Sequence, residues 1–154
     1  MDLLVNIFAN QAIHNTPITV FGGAQLRPNV HIQDYVDAVK LLMVAPAEKI
    51  NGETFNVGYQ NLSALQIGKL VADVVFREFP HYGHVAIEIV PTDDKRSYHI
   101  NSDKIKRVLG FAPRYTIEDA VRELCQAFRD GKLPDSLTDD AYVNVNRLRR
   151  LNAA

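Results

Sequence analysis

The chain has one cysteine, Cys125, in 154 residues. An internal disulfide is therefore excluded, and a reducing cytoplasm is the expected home. Neither sign of charge is in excess, with 17 Lys and Arg against 18 Asp and Glu. A nucleic-acid surface would need a basic surplus, so no nucleic-acid partner is expected. No apolar run is long enough to cross a bilayer, and no basic, signal-like start precedes the first apolar segment, so no membrane partner is expected either. Metal chemistry has few donors. His81 and His84 flank Tyr82 and Gly83 without a cysteine beside them, which is a weak basis for a site. Closely spaced glycines are also scarce, Gly22-Gly23 being the one such pair. There is no internal repeat and no low-complexity segment. What remains is a chain of one-domain length, able to bury a real core.

That glycine pair sits in the stretch around which the rest is organised, residues 18–34. Residues 18–21 are β-branched or aromatic and suit a buried strand. Gly22-Gly23 permits a turn through positive φ and a close approach to backbone. Arg27 follows, pushed toward an extended conformation by Pro28. Val30 and Ile32 alternate with His31, which predicts a second short strand. Asp34 is expected to cap a helix with Val36, Val39, Leu42 and Met43 at helical spacing. A cation on a rigid frame beside a glycine turn can receive a phosphate. A hairpin-like turn with a solvated arginine explains the same pattern.

Along the remainder, residues 2–14 predict a helix with Leu3, Leu4, Ile7 and Phe8 on one face. Residues 54–57 predict a short strand. Ser63 and Gln66 form a capping box. The helix they open repeats Ile67, Leu70, Val71, Val74 and Val75 at i, i+3, i+4 spacing. Gly68 inside that helix costs about 1 kcal/mol relative to alanine, which points to a close neighbour. Residues 85–90 alternate as a strand, and residues 93–101 are polar and irregular. Ser102 and Gly110 bound a short helix, and Thr116 with Asp119 opens another that ends at Gly131. Residues 132–138 look like a linker. Asp139 and Asp140 begin a last helix, and Arg147, Arg149 and Arg150 close it. Helices and short strands mix without strict alternation, so the expected class is α+β, or a fragment of an α/β protein.

The order of these blocks resembles the extended short-chain dehydrogenase family, the NAD-dependent nucleotide-sugar epimerases and dehydratases. Residues 18–34 resemble its glycine–arginine–aspartate segment, and Phe55-Asn56-Val57-Gly58 its "y-N-v-G". Residues 94–104 resemble "d-x-R-s-y-x-x-d-x-x-K", and residues 109–119 resemble "L-G-f-x-P-x-x-s-l-e-e". The family's cofactor half carries a T-G-x-x-G-x-x-G fingerprint and a catalytic Tyr-x-x-x-Lys. Neither pattern occurs here: Tyr35, Tyr59 and Tyr98 have Val39, Ser63 and Ser102 four positions on.

The resemblance implies the C-terminal, substrate-binding part of such an enzyme, α+β as an isolated piece of an α/β Rossmann-type parent. Residues 1–131 would form the substrate-binding region, and residues 132–154 a linker loop and C-terminal helix of the same domain. Met1 is then not expected to be the parent's natural start. The implied ligand is a nucleoside-diphosphate sugar. Arg27 and Arg96 are implied on its diphosphate, and Val20 and Phe21 at the strand edge facing its base. Asn56 and Tyr98 are secondary candidates. Each has a plainer role open to it: Arg96 as a solvated charge paired with its neighbours, Val20 and Phe21 as packed strand residues, Asn56 and Tyr98 as structural groups. No residue of this chain is implied as catalytic and none as a metal ligand. No cofactor is expected in this chain; NAD or NADP is expected of the parent, through the missing N-terminal cofactor domain. Apolar surface left by that domain makes a homo-oligomer the expected state. A stand-alone binding or interaction module on the same scaffold is the alternative.

Overall fold

The computed structural model describes residues 1–94 and 96–152. Its centre is helix α4, Ala64–Glu78, opened by the expected capping box. The Ser63 hydroxyl accepts from the Gln66 N–H at 3.2 Å, and the Gln66 side chain accepts from the Ser63 N–H at 2.8 Å. Ile67, Val71, Val74 and Val75 are buried in the core, and Leu70 packs against it. Helices α1, Leu4–Ile13, and α6, Ile117–Arg129, pack on α4 and on each other. The Thr116–Asp119 capping box that opens α6 is formed as expected.

Strand β1, Ile18–Phe21, runs under α4 and pairs in parallel with β4, Ile87–Val90, Ile18 opposite Ile87. Gly68 explains how close they come. A Cβ there would lie 3.1 Å from Val20 Cγ2 and 3.7 Å from both Ile18 Cγ2 and Phe8 Cε2. The glycine expected to mark a close approach does so.

The second strand differs from expectation. Strand β2 is Leu26–Asn29, four residues that include Arg27 and Pro28, and it pairs antiparallel with β3, Gln60–Ser63. Residues 54–57 are not a strand. Phe55 and Val57 pack instead on a second cluster formed by Ala38, Ile105 and Phe111. His31 is not a strand residue either. It caps helix α2, Ile32–Val44, its Nδ1 accepting from the Gln33 N–H at 3.2 Å. Asp34, expected at the cap, lies three residues past it in the first turn and is 1% exposed. Its carboxylate accepts the Arg114 N–H at 3.0 and 3.1 Å and the Tyr115 N–H at 2.9 Å. Those partners, 80 residues away, draw it inward.

The inner face of α1 is also corrected. Val5, Phe8, Ala9, Ala12 and Ile13 face the core, whereas Leu3 is 72% exposed and Ile7 is exposed. Lying between α4 and α6, the helix turns its 5-8-9-12 stripe inward. Buried Asn10 anchors the loop after α6: its Nδ2 donates to the Ser136 carbonyl at 2.9 Å, and the Ser136 hydroxyl donates to its Oδ1 at 2.6 Å. Residues 132–138 are therefore tied down rather than a free linker. Short helix α3 is Ala47–Ile50; short helix α5, Asp103–Leu109, contributes Ile105 and Leu109 to the second cluster and ends on Gly110 at φ 72°. Helix α7, Asn144–Asn152, has no buried residue.

Candidate functional site

Arg27 stands on β2 with its side chain partly buried. Its Nη1 donates to the Leu26 carbonyl at 3.0 Å and to the Arg96 carbonyl. Its Nη2 lies 3.8 Å from Asp94 Oδ2, and its guanidinium carbon sits 5.5 Å from the Tyr98 ring centre. Arg96 meets the same carboxylate with its fork, Nε to Oδ1 and Nη2 to Oδ2, both at 2.7 Å. Two arginines 69 residues apart in sequence thus share Asp94, the more exposed of them being Arg96. The Arg96 hydrogen bonds, with Arg27 behind them, hold the Asp94 carboxyl well below the usual carboxylate range. The same contact raises Arg96.

Residues 96–98 reach β2 because its outer edge accepts them. The Leu26 N–H donates to Ser97 Oγ at 2.9 Å, and the Tyr98 N–H donates to the Leu26 carbonyl at 3.1 Å. Asn61 on β3 clamps the far end, accepting from the Ile100 N–H at 2.9 Å and donating to its carbonyl at 3.0 Å. Pro28 suits this setting, since an edge strand tolerates a residue without an N–H.

Beside the arginines lies the glycine turn, with Gly22 at φ 75° and Gly23 at φ 106°. A Cβ on Gly22 would meet Gln25 Nε2 and Thr92 Cγ2 at 2.8 Å, so a larger residue would be strained at this φ and would push the Gln25 amide aside. The Gln25 amide folds over the turn, accepting from the Gly23 N–H at 2.7 Å and donating to the Phe21 carbonyl at 2.8 Å. A hollow of about 370 Å³ opens between the turn and the loop, lined by Gly22, Ala24, Gln25, Thr92, Asp94 and Ser97.

A larger hollow, about 670 Å³, lies between α1, α2 and α6, with Leu3, Ile32, Tyr35, Tyr115 and Leu124 among its walls. His31 Nε2 lies 3.3 Å from Glu123 Oε2 there, and Arg27 borders the hollow. Its walls are mainly apolar, so it suits an apolar cover better than an anion.

The structure brings Arg27, Arg96 and Tyr98 together. The Val20 side chain does not join them: it is buried under Gly68, because strand alternation turns it into the core. Phe21, its neighbour, is 58% exposed. Asn56 is exposed and lines neither hollow. Asp94, Gln25 and Ser97 were missed in the sequence. For Asp94 the signal was present, an aspartate two residues before an arginine in an irregular polar segment. Among the described residues no three His, Cys, Asp or Glu side chains gather as a metal site. Cys125 is buried, and burial pushes its thiol up to about 11.

The Gly22-Gly23 turn does not have the form of a dinucleotide turn. A dinucleotide turn runs from a strand straight into a helix whose free N–H groups take the pyrophosphate. Here the glycine turn leads into β2, and the first N–H groups of α4 are already used, Ala64 on the Gln25 carbonyl and Leu65 on the Gly23 carbonyl.

Residues 2–58 match the model of the NAD dependent epimerase/dehydratase family. The chain is 25% identical over 148 residues to dTDP-glucose 4,6-dehydratase 1 of Escherichia coli K12, covering 92% of this chain and 40% of that protein. It is 30% identical over 125 residues to UDP-D-apiose/UDP-D-xylose synthase 1 of Arabidopsis thaliana, covering 73% and 32%. Among solved structures, UDP-glucose 4-epimerase of Thermotoga maritima with UDP-glucose superposes with a TM-score of 0.68 at 23% identity, covering 84% of this chain and 40% of that one. That likeness shows the fold. The chain thus spans about two-fifths or less of these relatives. No helix among the described residues is long and apolar enough to cross a membrane. With its motif blocks in family order and its fold that of part of a Rossmann-type enzyme, the chain belongs to the NAD-dependent epimerase/dehydratase family.

Proposed function

We propose that this chain is the nucleotide-sugar-holding portion of an NAD(P)-dependent epimerase or dehydratase, working in the cytoplasm. Arg27 and Arg96 receive the diphosphate, Tyr98 and Phe21 border the nucleoside, and the backbone of residues 20–23 meets the base. The observation that carries the reading is the convergence of the two guanidiniums on one carboxylate, Asp94, which lines the polar hollow. A guanidinium fork matches a phosphoryl group as it matches a carboxylate. Relatives named for dTDP- and UDP-sugars support the ligand class. Hydride chemistry lies outside this chain, because the sequence lacks the glycine fingerprint and the Tyr-x-x-x-Lys pair. NAD or NADP then belongs to a cofactor half that this chain does not contain.

Calorimetric titration with UDP, dTDP and GDP tests the reading. Arg27→Ala and Arg96→Ala should each weaken binding by about ten- to a hundredfold, the loss of a charged hydrogen bond worth ~1.5–3 kcal/mol. Equal affinity in the parent and both folded variants removes these residues from the site. The second reading, a stand-alone binding module, is favoured only by the missing catalytic pair. Turnover of a nucleotide sugar by the purified chain would defeat both.

A further inference from the structure

The two arginines are not free. The Nε edge of Arg96 is filled by Asp94, Arg27 Nη2 faces the same carboxylate, and Arg27 Nη1 is committed to two carbonyls. The glycine turn is likewise closed by the chain's own Gln25 amide. A ligand entering the polar hollow meets an anion already between the cations, since Asp94 lines that hollow.

We propose that Asp94 is an internal stand-in for phosphate, closing the two-arginine receptor until a ligand's phosphoryl groups displace it. This rests on the reading of Arg27 and Arg96 as a diphosphate receptor. The carboxylate matches one phosphoryl group in fork geometry but carries a single charge. A diphosphate offers two groups, one for each guanidinium, and so wins the exchange. Asp94 therefore lowers affinity for every anion. It disfavours weak single anions most, because they regain one contact for the one they break. The opposite role, a carboxylate that merely orients Arg96 for the ligand, predicts the opposite sign when its charge is removed.

Asp94→Asn separates the two. It keeps an oxygen at the Oδ1 position for the Arg96 N–H, 3.1 Å away in the parent, and removes the charge. UDP affinity is measured by calorimetry at low salt, where screening is least, with uridine as the phosphate-free control. The expected result is UDP binding about tenfold tighter than in the parent, with no change for uridine. Binding that appears only in the variant supports the inference equally. UDP affinity unchanged or lowered, while Arg27→Ala and Arg96→Ala still lose binding, overturns the inference and leaves the receptor reading standing. No UDP binding by the parent or the variant overturns both. If Asp94→Asn does not keep the parent's circular dichroism, Asp94→Ser takes its place.

Discussion

Helices α4 and α2 are of similar length and both carry an apolar stripe, yet they end in opposite conditions. The stripe of α4 is covered by α1, α6 and β1. On α2 only Asp34 and Ala38 are buried, while Ile32, Tyr35, Val36 and Val39 are exposed and Met43 and Val44 are 80% and 79% exposed. Periodicity therefore tells which residues want cover, not whether this chain supplies it. Of the apolar residues read in the sequence, Val36, Val39 and Met43 lie uncovered and Leu42 is half-buried, whereas Phe55 and Val57 are packed against the second cluster.

Truncating each stripe sharpens the contrast. Ile67→Ala in α4 removes a fully buried side chain and should destabilise by about 2–5 kcal/mol. Met43→Ser in α2 should stay within about 0.5 kcal/mol for the monomer. Urea unfolding checks both, and equal losses would mean that α2 is covered in solution.

Besides Ala38, packed in the second cluster, α2 is fastened by the buried Asp34 carboxylate. Asp34→Ala strands the Arg114 and Tyr115 N–H groups and should cost about 1–3 kcal/mol. A near-neutral result would show that water replaces the carboxylate.

A smaller effect concerns association. The open α2 face exceeds what scattered exposed residues explain, and apolar burial contributes roughly 25 cal/mol per Å². The isolated chain is expected to form a dimer or higher oligomer, and Met43→Ser with Val44→Ser should shift its dissociation to higher concentration. Light scattering over a dilution series reads this. A parent chain that is monomeric throughout contradicts it.

The smallest effect is on acid stability. Hydrogen bonds from Thr116 depress Asp119, and the Lys104 contact depresses Glu53. A folded pKa below the unfolded one gives stability that is present above the unfolded values, 3.8 and 4.5 here, and lost as pH falls through the folded ones. Thr116→Val should flatten that acid limb slightly in pH-dependent unfolding. An unchanged limb would show that the cap contributes nothing there.

Much of the frame was legible because it is local. The capping boxes at Ser63 and Thr116 and the left-handed Gly110 are each set by a few neighbouring residues, and Gly68 stands out as a glycine inside a helix although the side chains it meets, Val20, Ile18 and Phe8, lie far along the chain. What escaped depends on partners far along the chain. Propensity favours Asp34 as the cap, but the N–H groups of Arg114 and Tyr115 draw it inside and leave the cap to His31. Strand β2 holds Pro28 because β3 and residues 97–98 build its two edges around it. At the site, local pattern offered Arg27 as a phosphate receptor, whereas Arg96 entered through family resemblance. The Asp94–Arg96 pairing is local, but that Arg27 shares the same carboxylate is a tertiary fact that no local pattern reveals.

The central claim is that the nucleotide is received at the polar hollow lined by Asp94, the carboxylate that Arg27 and Arg96 share, and not in the larger apolar hollow that Arg27 also borders. Titrating the nitrogen-15-labelled chain with UDP and following its amide resonances tests this most directly. The account predicts that shifts concentrate at Gly22, Gly23, Arg27 and residues 96–98. Shifts confined to Tyr35, Tyr115 and Leu124, or no shifts at saturating UDP, would contradict it.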